Sequence, residues 1–187
     1  LTITLFHREI KNKTIYFVVS QSVSRFQFLL GKYCGILIIL FFNTFAMSMS
    51  LVLTLLILQI SFPEMIAEAI LMNYIEFMVI SGFALFFISF STPTLSSVFT
   101  IGIWIIGHLS KDLLYFSQIS KNFTLEKLSV LFYYVFPDLE KFNLKYHVIY
   151  SSLVSEEFLF WSAIYGLIFC FVLLCCAQLI FSKRDLS

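Results

Sequence analysis

Charge is scarce in this chain. Of its 187 residues only 12% are Asp, Glu, Lys or Arg, while 60% are hydrophobic and the mean hydropathy is +0.95; a soluble domain carries roughly 25% charged residues. So little polar surface cannot coat a water-soluble globule, and the bilayer is read as the solvent. The roughly ten-residue segments of alternating apolar and polar side chains that build a membrane β-barrel are missing too. That leaves the α-helix, which satisfies its own backbone in lipid. The four cysteines, Cys34, Cys170, Cys175 and Cys176, sit in or beside apolar stretches with no histidine cluster nearby, so they read as small packing residues and not as metal ligands. The twelve Lys and Arg residues are split among the flanks of apolar runs and never form the continuous basic face that binds nucleic acid. No GxxxxGK[ST] phosphate cradle, HExxH or GxSxG occurs, so no cofactor is expected on this chain and no catalytic residue is assigned.

What is abundant is apolar sequence in runs of about 20 residues or more, enough to cross a ~30 Å hydrocarbon core. The expectation is an all-α integral membrane protein, a single transmembrane domain over 1–187 with about four complete spans at 29–60, 65–90, 93–114 and 158–181. The 29–60 run is longer than a perpendicular crossing needs, so it is expected to tilt or to start in the interface. Ahead of it, residues 7–28 and Lys32 carry His7, Arg8, Lys11, Lys13, Arg25 and Lys32 against the single acid Glu9, which puts that segment on the cytoplasmic side by the positive-inside rule. Lys183 and Arg184 then end the last span on the same side, while the turn Ser61-Phe62-Pro63-Glu64, without Lys or Arg, faces outside. Pro93 suits the first position of a helix, with Thr92 as its cap. The polar, aromatic-rich segment 115–157 reads as an external element with short helices lying on the membrane surface, divided at Pro137. Leu1–Phe6 resembles the last turns of a preceding helix. With no initiator Met, charged n-region or small-residue cleavage site, it is read as neither a signal peptide nor the natural N-terminus, and the chain is expected to be truncated at its start.

Glu76 falls about eleven residues into the second run, roughly 16 Å deep and near the midplane, where a carboxylate costs several kcal/mol unless neutralised or paired. Asn73 is one turn away, and His108 in the next run can reach the same depth. These residues either line a substrate path or clamp helices together, and the sequence supports both readings equally.

The basic segment also carries a family resemblance. Arg8-Glu9-Ile10-Lys11-Asn12-Lys13-Thr14-Ile15-Tyr16, then Ser20, Val23-Ser24-Arg25 and Phe28-Leu29-Leu30-Gly31-Lys32, resembles the cytoplasmic segment that joins the second and third spans of type-2 ATP-binding-cassette permeases. Gln21-Ser22 stands where that family usually has Arg-Pro. Ser89-Phe90-Ser91-Thr92-Pro93 with Ile106-Gly107-His108 is similar to its fourth-to-fifth-span junction, and Phe136 to Asn143 to its external element. The resemblance implies a six-span permease in a bacterial cytoplasmic (inner) membrane, paired with a second permease subunit, most simply a copy of itself. It also implies a partner ATPase subunit that holds ATP and Mg. Arg8, Glu9, Ile10, Lys11, Lys13, Thr14, Ile15, Arg25 and Lys32 would be the ATPase-coupling residues. Without the resemblance, the same cations would read as topology markers that bind anionic headgroups. The rival readings are a scaffold subunit without transport activity, an ion-coupled carrier, for which neither an internal repeat nor helices broken at midspan are present, and an intramembrane protease built on Glu156-Glu157, which no nearby Arg follows.

Overall fold

The computed structural model describes residues 25–120, 127, 136–150 and 152–183, and among these every regular element is helical. Helix α1 spans Arg25–Ile57, α2 Ile66–Ile88, α3 Pro93–Ser120, α4 Lys145–Ile149 and α5 Glu156–Lys183, with a 3-10 turn at Leu139–Phe142. Three of these, α1, α2 and α5, are long and apolar enough to cross a membrane; the continuously apolar part of α3 is Pro93–Leu109. Helix α1 begins before its apolar run and α3 continues beyond position 114, because a helix ends where its backbone finds other partners and not where hydropathy falls.

The ends of the helices follow local chemistry. Helix α1 closes with Ile60 N–H donating to Leu55 O (3.0 Å) and Gln59 N–H to Leu56 O (3.2 Å), while Gln59 takes φ 53°. This is the two-bond C-terminal cap that usually recruits glycine at its left-handed residue. Helix α3 starts on Pro93, whose missing N–H removes no bond, and the Thr92 carbonyl accepts from Ser96 N–H at 2.8 Å. The bundle has two ends, named here by the prolines of their turns. Helix α1 runs from the Pro93 end to the Pro63 end, α2 returns, α3 goes out again and α5 comes back.

Helix α2 is the centre, with 44% of its apolar window buried against 11% for α1 and 22% for α5. Its small residues Ser81, Gly82 and Ala84 are buried, and a Cβ added at Gly82 would lie 3.3 Å from Leu173 of α5, so the two helices pack closely there. Helices α1 and α2 exchange tyrosine hydroxyls: Tyr33 donates to the Met78 carbonyl (2.9 Å) and Tyr74 to the Leu37 carbonyl (3.1 Å). Toward the Pro93 end Leu29, Tyr33, Ile36, Leu85, Ile88, Leu174 and Ala177 form one apolar core, and toward the Pro63 end Met72, Val79, Phe83, Cys170 and Leu173 form another with Leu139 and Phe142. The outward residues of α1, among them Ile38, Phe42, Phe45 and Leu53, are more than half exposed, as expected of a surface solvated by lipid.

Of the segment expected to lie on the membrane surface, residues 121–126 and 128–135 lie outside the described residues, and the stretch 136–150 divides into two parts with different surroundings. Tyr146, Ile149 and Tyr150 of and beside α4 are exposed. Pro137, Leu139 and Phe142 are buried to within 2% of complete, forming a wedge packed against α2, α3 and α5. Glycines make the seat. A Cβ on Gly107 of α3 would stand 2.6 Å from Leu139 and 2.9 Å from the Pro137 carbonyl, and one on Gly166 of α5 would stand 2.6 Å from Ile75 and 3.0 Å from Phe142. The wedge is tied down by Asp138 N–H, which donates to the Tyr165 hydroxyl at 3.1 Å, and by the Lys141 ammonium 4.5 Å from the centre of the Tyr165 ring. Non-helical backbone at membrane depth survives only where protein surrounds it, and here three helices do.

Candidate polar site in the bundle

Helices α2 and α3 are antiparallel neighbours joined by a tight turn, so residues equally far from that turn meet. Glu76 lies about 18 Å from the end of α2 at Ile88, and Trp104 lies about 17 Å from the start of α3 at Pro93, at 1.5 Å per residue. The Trp104 indole N–H accordingly donates to Glu76 Oε1 at 3.3 Å. His108, one turn further along α3, brings Nε2 to 3.5 Å from the same oxygen and stacks at a tilt on Trp104, with 5.0 Å between ring centres. Glu76 is 7% exposed.

The hydrogen bonding constrains the proton. His108 Nδ1 lies 3.2 Å from the Trp104 carbonyl oxygen. A carbonyl only accepts, so this contact is a hydrogen bond in the tautomer that carries its hydrogen on Nδ1. A neutral ring would then turn a lone pair at Nε2 toward a carboxylate, which is repulsive. The pair is favourable with one proton between them, as imidazolium and carboxylate or as imidazole and carboxylic acid. Both arrangements are electrically neutral overall, which is how an acid at this depth is tolerated.

Beside this cluster, α1, α2 and residues 142–149 line an open-sided cavity of about 400 Å³. Glu76 and Asn73 line it from α2, and Asn143 and Lys145 from the stretch after the wedge. The Asn143 amide donates to Glu140 Oε1 at 3.0 Å, and its carbonyl oxygen accepts from Lys145 N–H at 3.4 Å.

Of the residues singled out in the sequence, Glu76 and His108 are thus in contact, and Asn73 shares the cavity with Glu76. Arg8, Glu9, Ile10, Lys11, Lys13, Thr14 and Ile15 lie outside the described residues. Arg25 opens α1, and Lys32, two turns on, holds its ammonium 5.9 Å from the Phe28 ring centre. The sequence reading missed Trp104, Asn143 and Lys145. Trp104 had a usable signal, since it precedes His108 by four residues on one helical face; Asn143 and Lys145 had none, because only the wedge carries them to Glu76. Among the described residues no three His, Cys, Asp or Glu side chains gather as a metal site, and the cysteines are free thiols. No family model, curated protein or solved structure matches the chain.

Proposed function

We propose that this chain is the membrane-spanning permease subunit of an ATP-binding-cassette transporter, moving a substrate with energy from a separate ATPase subunit that binds ATP and Mg. A second permease subunit, a copy of itself, completes the complex in a bacterial cytoplasmic membrane. The observation that carries the reading is the order of the resembling motifs along the chain: the basic segment ahead of α1, Gly31-Lys32 within it, Ser89 to Pro93 at the α2–α3 turn, and Phe136 to Asn143 as the wedge. On this reading α1, α2, α3 and α5 are four spans. The 17 apolar residues of α3 reach the lower limit of a crossing helix, ~17 residues. A cavity with a few converging polar groups beside a central helix is the form that small-molecule sites commonly take.

Coupling is tested by co-purifying the full-length protein with the ATPase encoded beside it. Replacing Arg8 and Glu9 by Ala is expected to release the ATPase while leaving the permease in the membrane. Retention of the ATPase by that variant would remove the coupling role from the basic segment, and failure of any ATPase to co-purify with the unaltered protein would remove the transporter reading.

A further inference from the structure

The cavity beside Glu76 has a wall chemistry that selects its occupant. Along α2 its wall runs from Ile66 to Glu76, about 15 Å at 1.5 Å per residue. Leu51 and Leu55 of α1 line it together with Ile66, Ala69 and Ile70 of α2, so most of the wall is hydrocarbon. The exceptions are two amides, Asn73 and Asn143, and two opposite charges, Glu76 and Lys145. A hydrocarbon occupant would offer the Lys145 ammonium and the second Glu76 oxygen no hydrogen-bond partner, and a sugar would leave the apolar walls uncovered. An anionic head would meet Lys145 but crowd the Glu76 oxygen, and a cationic head would meet that oxygen but crowd Lys145; a zwitterion suits both. Among the described residues both contacts to the Glu76 carboxyl fall on Oε1, which leaves its other oxygen as an acceptor for an occupant.

We infer that this cavity binds a single-chain amphiphile with a zwitterionic head, its ammonium on Glu76, its acidic group on Lys145 and its chain between α1 and α2. At about 400 Å³ the cavity lies near the low end of the ~300–1,000 Å³ range of small-molecule sites, which suits one chain and not two. The inference goes beyond the transport reading and does not lean on it. Binding is read on the isolated permease chain, so a negative result here leaves ATPase association untouched, and loss of ATPase association leaves this site standing.

The probe is radiolabelled lysophosphatidylcholine, titrated against the purified full-length protein in non-ionic maltoside micelles. One saturable site per chain is expected. Ala69→Phe, which fills the apolar end, abolishes it, and Lys145→Ala weakens it by about tenfold or more, the loss of one charge-assisted contact. Glu76→Gln has a similar effect. Because Glu76 also holds Trp104, Lys145→Ala is the deciding variant: Lys145 is exposed at the start of α4, and unaltered affinity in that variant overturns the proposal. Uptake that never saturates overturns it as well. So does equal competition by monoacylglycerol, which would mean a merely apolar slot, or by two-chain phosphatidylcholine, which would mean a site for bulk bilayer lipid.

Discussion

The two ends of the bundle solve the same packing problem differently. At the Pro93 end the helices close on one another: Leu29, Ile36, Leu85, Ile88, Leu174 and Ala177 fill the space between α1, α2 and α5, and the chain passes from α2 to α3 through a short turn whose Ser89 is fully buried. At the Pro63 end the helices leave a gap, and a non-helical segment fills it, with Leu139 and Phe142 as its apolar contacts and two glycines as its seat. The cavity and the Glu76 cluster lie on that side. Self-complementary helices make a dry, closed end, whereas an inserted wedge carries polar backbone and charged residues inward and leaves space beside them.

This contrast can be broken. Phe142→Ala removes the largest fully buried side chain among the described residues. A loss of about 3 kcal/mol is expected from the cavity it leaves, seen as a lower midpoint in thermal unfolding of the detergent-solubilised protein. The same change in the bundle's Pro93 end, Leu29→Ala, should leave protease access to residues 136–144 as it was, and Phe142→Ala should open it. A smaller effect is expected at the seat. Gly107→Ala must push Leu139 or the Pro137 carbonyl aside and should cost about 2 kcal/mol. Gly102→Ala on the same helix meets nothing within 4 Å and should be neutral or stabilising by up to about 1 kcal/mol through helix propensity. If both alanines behave alike, close approach of the wedge is not what fixes glycine at position 107. The smallest effect belongs to Trp104→Phe, which deletes the indole donor to Glu76; interhelical hydrogen bonds in membranes contribute about 0.6 kcal/mol. A loss several times larger would mark the cluster as a structural keystone and argue against a role in binding.

How much of this could be read from the sequence depends on the range of the forces involved. Hydropathy located α1, α2 and α5, because each must satisfy its own backbone in lipid and its apolar residues announce this locally. The start of α3 was legible from Pro93, again a local matter. The approach of Glu76 and His108 was legible because the two fall at similar depth in neighbouring apolar runs. The wedge was not legible. Phe142 and Leu139 sit in a stretch with Asp138, Glu140 and Lys141 that reads as surface, and what draws them inward is empty space at Gly107 and Gly166 on two other helices. No local pattern encodes a vacancy elsewhere. The partners Asn143 and Lys145 were hidden for the same reason.

The seat of the wedge is split in the order of synthesis. Gly107 is made before the segment it receives, and Gly166, with Tyr165 that ties down Asp138, is made after it. When residues 136–144 leave the ribosome, half of their pocket does not yet exist. The wedge therefore locks only once α5 has entered the membrane, so assembly of the Pro63 end is a late event, and until then the acid at position 76 lacks the wall that Asn143 and Lys145 complete.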